Sequence, residues 1–199
     1  VIAFNEAVNV GVGDLRILQS SNDQIFETIP VGSGQVIGGG TSTITIDPIG
    51  TFASQTGYYV EIDATCFEDA SGNAYAGIAD KTTWNFEAQD ITPPAVTSLD
   101  PADDAIGVGV DDDLVITFDE AVVPVSGSIR IRLYSDNTTV ESRSVTGSRV
   151  TGDSTATITF NPSTTLTGET GYYVEVDAGA FDDLSGNPSP AIGGRNIWN

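Results

Sequence analysis

Val1-Ile2-Ala3-Phe4-Asn5-Glu6-Ala7-Val8 returns later in the chain as Val115-Ile116-Thr117-Phe118-Asp119-Glu120-Ala121-Val122, an offset of 114 that carries residue 1 onto residue 115. The same offset takes Thr43-Ile44-Thr45 onto Thr157-Ile158-Thr159, and Thr56-Gly57-Tyr58-Tyr59-Val60-Glu61 onto Thr170-Gly171-Tyr172-Tyr173-Val174-Glu175. Ser71-Gly72-Asn73 falls on Ser185-Gly186-Asn187, and Trp84-Asn85 on Trp198-Asn199. No gap interrupts the register, which marks duplication of one folding unit. Any structural expectation for one copy can therefore be checked in the other.

Inside each copy the hydrophobic pattern has period two. Leu114, Ile116 and Phe118 share one face of their segment. Ser128 to Leu133 places Ile129, Ile131 and Leu133 inward and Arg130 and Arg132 outward. Thr155 to Phe160 places Ala156, Ile158 and Phe160 inward. Tyr172 to Asp177 places Tyr172, Val174 and Val176 on one face and Glu175 and Asp177 on the other. A last strand is expected to contain Trp84 in copy one and Trp198 in copy two. Asp47-Pro48, Asn161-Pro162 and the two Ser-Gly-Asn triplets read as turns. No helical period is present. About seven short alternating strands per ~110 residues predict an all-β antiparallel sandwich of Greek-key type, twice over. Leu166-Thr167-Gly168-Glu169-Thr170-Gly171-Tyr172 has the spacing of a tyrosine corner, in which the hydroxyl bonds backbone a few residues upstream. Copy one has Phe52 and Ser54 in place of the leucine and the glycine but keeps Tyr58.

The offset also frames the two units, residues 1–90 and 91–199. Copy one opens inside a strand, without the equivalent of Ile91 to Leu114. Copy two stops before the equivalent of Phe86-Glu87. The first unit is thus expected to lack its first strand and the second most of its last. The start at Val1, without a methionine, fits a fragment or a processed product. A sandwich short of an edge strand exposes backbone groups and a core groove. Two sources of the missing strands are open: flanking sequence, or neighbouring molecules that donate strands and so build a filament. Between the units, Gln89-Asp90-Ile91-Thr92-Pro93-Pro94-Ala95-Val96 reads as a linker. Its two prolines favour extended chain and predict a short, stiff connection and a rod-like array.

Composition narrows the function. The 199 residues suffice for two domains of about 100 residues. With 28 acidic and 7 basic side chains the net charge is −21, which repels nucleic acid and anionic lipid and suits solubility in salt or binding of divalent cations. No stretch reaches the ~18 apolar residues of a membrane span, so no membrane insertion is expected. The lone Cys66 stands where copy two has Ala180 and reads as a small buried side chain. With no histidine in the chain, no Ser-His or Cys-His pair can form. Gly38-Gly39-Gly40 lacks the Lys-Ser/Thr of a phosphate loop. The outward threonines Thr41, Thr43, Thr45, Thr155, Thr157 and Thr159 reflect β-propensity rather than a glycan-binding or ice-binding face.

One resemblance joins these segments. Thr92-Pro93-Pro94-Ala95-Val96-Thr97-Ser98-Leu99-Asp100-Pro101-Ala102-Asp103, then Gly107-Val108, then Ile116 to Val122, resembles the opening of bacterial Ig-like domains of the S-layer (SbsA-type) family. The Tyr-Tyr-Val-Glu, Asp-x-Ser-Gly-Asn and Trp-Asn-Phe segments resemble its second half. The resemblance implies tandem immunoglobulin-like sandwiches in a secreted bacterial cell-surface or extracellular protein such as an adhesin or surface layer. It implies other copies of the module or flanking domains as partners, and brings no catalytic residues. An accessory module of a secreted hydrolase is a further possibility.

Calcium is the one ligand class the acidic residues suggest, since it takes carboxylate, amide and carbonyl oxygens. Three clusters offer them. The first is Asp63, Glu68, Asp69 and Asn73, repeated as Asp177, Asp182, Asp183 and Asn187. The second is Asp90, Asp100, Asp103 and Asp104 around the linker. The third is Asp111-Asp112-Asp113. None has EF-hand spacing. The competing account of the first is a turn in which Asp and Asn bond their own backbone.

Overall fold

The computed structural model describes all residues from Val1 to Asn199. It contains strands and turns and no helix. The chain divides into two compact units, Val1–Asp90 and Ile91–Asn199.

The first unit has eight strands: β1 (Ile2–Val10), β2 (Asp14–Gln19), β3 (Ile25–Pro30), β4 (Val36–Ile37), β5 (Thr41–Ile46), β6 (Gly57–Ile62), β7 (Phe67–Asp69) and β8 (Asn85–Glu87). They form two antiparallel sheets, ordered β4-β5-β1-β7 and β3-β2-β6-β8. The core between them is built from inward residues of both sheets, among them Val8, Ile44 and Phe67 from one and Leu15, Ile29 and Val60 from the other. Each fully buried aliphatic or aromatic side chain is worth roughly 1.5–3 kcal/mol relative to exposure.

The second unit repeats this plan with β9 (Val96–Asp100), β10 (Leu114–Pro124), β11 (Ser128–Leu133), β12 (Thr139–Ser144), β13 (Val150–Thr151), β14 (Thr155–Phe160), β15 (Tyr172–Val176) and β16 (Phe181–Asp183). One sheet runs β13-β14-β10-β16, with β9 also paired to β10; the other runs β12-β11-β15. The two units differ at two edges. β9 lies along Val115–Phe118 of β10, and no strand of the first unit takes the equivalent place beside β1. β8 lies along Gly57–Tyr59 of β6, and no strand of the second unit takes that place beside β15.

The alternation holds on the inward faces. Leu114, Ile116, Phe118, Ile129, Ile131, Ile158 and Phe160 are all buried. Two details depart from it. Tyr59 and Tyr173, on the face assigned outward, are buried as well. Tyr173 donates its hydroxyl to Asn137 Oδ1 at 2.9 Å, and Tyr59 donates to Asp23 Oδ1 at 3.0 Å, so polar residues cap each ring. The tryptophans stand just outside any strand: Trp84 precedes β8, and Trp198 lies in the closing segment. Their carbonyls still accept from Val60 and Val174 N–H, at 2.9 Å each, and so begin the ladder on that edge.

Both tyrosine corners form. Tyr58 Oη accepts the Ala53 N–H at 3.0 Å and Tyr172 Oη accepts the Thr167 N–H at 2.9 Å, each five residues upstream. Cys66 and Ala180 are fully buried, and burial pushes the Cys66 thiol pKa up, away from reactivity.

Candidate functional site

The polar side chains that recur at the 114-residue offset are the place to look for chemistry. Asp63, at the end of β6, is held by Arg16 on β2: Nη1 donates to Oδ1 at 2.7 Å and Nη2 to Oδ2 at 2.9 Å. The Asp14 N–H adds a bond at 3.1 Å. The second unit reproduces the arrangement, with Arg130 donating to Asp177 at 2.5 and 3.0 Å and the Ser128 N–H at 2.9 Å. A planar guanidinium matches a carboxylate in this bidentate way, and it holds Asp63 and Asp177 below the usual carboxylate range. The cation at these positions is therefore an arginine of the same unit.

Asp69 and Asp183 close the turns after β7 and β16. Oδ1 of Asp69 accepts the N–H groups of Ser71 and Asn73 at 2.8 Å each, and Oδ2 accepts Asn73 Nδ2 at 2.6 Å. Asp183 receives the same three donors from Ser185 and Asn187 at 2.8, 2.8 and 2.7 Å. Gly72 and Gly186 supply the positive φ that each turn requires. Asn73 and Asn187 thus act here as donors. Glu68 and Asp182 sit in their strands opposite Asn9 and Val123. Asp63, Glu68 and Asp69 do not converge on one point, nor do Asp177, Asp182 and Asp183.

In the second cluster, Asp90 belongs to the first unit, where it accepts from Ser54 Oγ at 2.9 Å and Gln55 Nε2 at 2.5 Å. The other three belong to the second unit. Asp100 lies in β9 opposite Val115. Asp103 accepts the Asn199 N–H at 3.0 Å, and the Asp104 N–H donates to Asn199 Oδ1 at 3.2 Å. With Trp198 Nε1 donating to Pro101 O at 2.7 Å, these contacts pin the closing segment to the loop after β9. In the third cluster, Asp112 accepts the Gly109 N–H at 2.7 Å and Asp113 accepts Asn161 Nδ2 at 2.6 Å. Thr41 and Thr155 spend their hydroxyls on the carbonyls of Gly38 and Gly152.

One buried member among the repeated acids carries no motif in the sequence. Glu141 on β12 accepts Ser163 N–H, Ser163 Oγ, Thr164 N–H and Arg143 Nε, at 2.8–3.0 Å. Burial pushes its carboxyl up, but the bonds from Ser163 and Thr164 outweigh that and hold its pKa at about 2. Glu27, its counterpart on β3, accepts Gln35 Nε2 and the N–H groups of Ile49 and Gly50. Both glutamates anchor the Asx-Pro loop that leads into the second half of the sandwich.

The carboxylates that accept the hydrogen bonds described above take them from loops and strand ends of their own unit, and no histidine is available to pair with a nucleophile. Two antiparallel sheets around one core, with polar side chains spent on internal fastening, define an immunoglobulin-like structural module. The profile of the bacterial Ig-like domain family matches residues 1–88 and again residues 90–198, and the chain belongs to that family. No curated protein and no solved structure matches it.

Proposed function

We propose that the chain is a load-bearing tandem spacer of a secreted bacterial surface or extracellular protein, of the kind found in surface layers and adhesins, and that it performs no catalysis. One observation carries this: the polar residues repeated at the 114-residue offset, Arg16–Asp63 with Arg130–Asp177 and Glu27 with Glu141, are bonded inside their own unit. What duplication preserved is the means of holding a sandwich together. Membership of the bacterial Ig-like family and a net charge of −21, which keeps a chain soluble in salt, support the location.

The test is mechanical. Pulled from its two ends in a single-molecule force instrument, the chain should extend in two discrete events, each releasing roughly 300 Å or more at ~3.3–3.6 Å per residue. Gradual extension at low force, without discrete events, would remove the load-bearing role.

A further inference from the structure

The two copies share their fasteners and differ in charge at one corner, the turn between β12 and β13 and the Asx-Pro loop it faces. In the first unit the matching corner, at the turn between β3 and β4, holds Glu27 and Asp47 and no basic residue. In the second it holds Glu141, Arg143 and Arg149, with Asn161 where the first unit has Asp47. That is a swing of three charges in a chain of net charge −21. Arg143 takes the place of Ile29, which is fully buried, yet its own side chain is 47% exposed. Arg149 takes the place of Gln35.

Holding the corner together does not use up the two guanidinium groups. In the first unit Gln35 Nε2 donates to Glu27 Oε1 at 2.7 Å and to Asp47 O at 3.1 Å. In the second, Arg143 Nε makes the contact to the glutamate, and its Nη2 donates to Ser163 Oγ at 2.6 Å. Arg149 donates through Nη1 alone, to Asn161 Oδ1 at 2.7 Å and to the carbonyls of Asn161 and Pro162 at 3.3 Å each. Every acceptor of Arg149 is thus a neutral oxygen. Its Nε and Nη2, like Nη1 of Arg143, make no bond within the chain. Ser148 adds an N–H and a hydroxyl in the same condition. A hollow of about 270 Å³ opens here, lined by Arg143, Ser144, Gly147, Ser148 and Arg149 and by no acid. Asp113 also reaches this corner, accepting Asn161 Nδ2 at 2.6 Å, but does not line the hollow.

We propose that this hollow binds a single tetrahedral oxyanion, a sulfate or phosphate group, free or esterified to an otherwise uncharged molecule such as a sugar. A guanidinium fork matches two oxygens of such a group, and the Ser148 N–H and hydroxyl suit a third. Glu141 does not compete for the site, because Ser163, Thr164 and Arg143 already satisfy its carboxylate. Charge sets the ligand class. The net charge of −21 repels a polyanion at long range, whereas a lone oxyanion meets little of that field and responds to the local positive one. The first unit, with two acids at its corner, excludes the same ligand. The inference does not depend on the spacer role: the residues that carry it are the ones in which the two copies differ, and a module can carry load with the hollow filled or empty.

The test titrates the full 199-residue chain with inorganic sulfate, inorganic phosphate and glucose 6-sulfate, with ionic strength held constant by sodium chloride. Amide NMR shifts should move saturably at Gly147, Ser148 and Arg149 and stay still at Ser33, Gly34 and Gln35, the same turn of the first unit. Arg149→Gln, which puts the first unit's residue in place, should weaken binding about tenfold, the scale of losing a hydrogen bond to a charged group. The first-unit turn is a control inside the same molecule, so the outcome does not rest on the variant alone. Saturation by any of the three probes upholds the proposal, and tighter binding of the sugar ester than of the free ions assigns the group to a glycan. Absence of saturable shifts at Gly147–Arg149, equal movement at both turns, or undiminished binding to Arg149→Gln overturns it.

Discussion

Ser163 delivers three hydrogen bonds to the one carboxylate of Glu141: its N–H reaches both oxygens at 3.0 Å and its hydroxyl reaches Oε1 at 2.8 Å. Glu141 itself is 5% exposed. A buried acid that accepts this many donors keeps its charge and ties β12 to the loop that follows Pro162. Replacing it with glutamine keeps the shape, removes the charge and turns an amide NH₂ toward N–H donors. Glu141→Gln should therefore cost about 3 kcal/mol, the scale of losing charge-assisted bonds and leaving buried donors unpaired. Urea unfolding followed by Trp198 fluorescence measures it. Glu27→Gln should cost less, because Glu27 is half-buried and water can replace part of what is lost.

The same carboxylate makes stability depend on pH in a defined window. Its folded pKa of about 2 lies below its ordinary value of 4.5. A depressed acid stabilises fully above its unfolded pKa, and that contribution is lost as pH falls through the interval toward the folded value. The stability difference between the wild type and Glu141→Gln should be flat above pH ~5 and shrink steadily toward pH 2, by about 3 kcal/mol at ~1.36 kcal/mol per pH unit. Comparing the two proteins cancels the general relief of acidic repulsion that protonation brings to both.

Gly152 precedes β14 at φ 103°, and a Cβ there would meet the Thr157 carbonyl oxygen at 1.9 Å. Gly152→Ala should destabilise by several kcal/mol, through an unfavourable backbone conformation and a clash with backbone that cannot rotate away. Gly168 lies in the corner loop with open space around it and an unstrained φ. Gly168→Ala should be neutral or slightly stabilising. Thermal melts of the two variants compare them directly.

The tyrosine corner should be worth about 1 kcal/mol in each unit. Tyr172→Phe deletes the acceptor of the Thr167 N–H, and Tyr58→Phe that of the Ala53 N–H. The second change should cost more, because Tyr58 is fully buried and no water can take the hydroxyl's place. Paired urea titrations give both values.

These features were not equally visible in the sequence. The corner could be read because a leucine, a turn glycine and a tyrosine stand in fixed order along a few residues of chain. Inward faces could be read because the period of a strand is two. Glu27 and Glu141 gave no such signal: each is an acid in a polar stretch of strand, and the backbone N–H groups it accepts from lie 22 or 23 residues away. Asp63 and Asp177 were legible as acids with work to do, but charge alone does not say whether the cation is calcium or an arginine on a neighbouring strand. Arg16 and Arg130, outward by alternation, are the missing half of that pattern. Tyr59 and Tyr173 show the limit of alternation: an outward aromatic is buried when polar neighbours fold over it.

The central claim is that the acids shared by the two units are internal fasteners of the sandwich, and the side-chain carboxyl of Glu141 tests it most directly. A carbon-detected NMR titration should find it ionised well below the ordinary range, titrating near pH 2 while the chain is still folded. A midpoint near 4.5 would mean that Ser163 and Thr164 do not hold this carboxylate, and the account of what duplication preserved would fail with it.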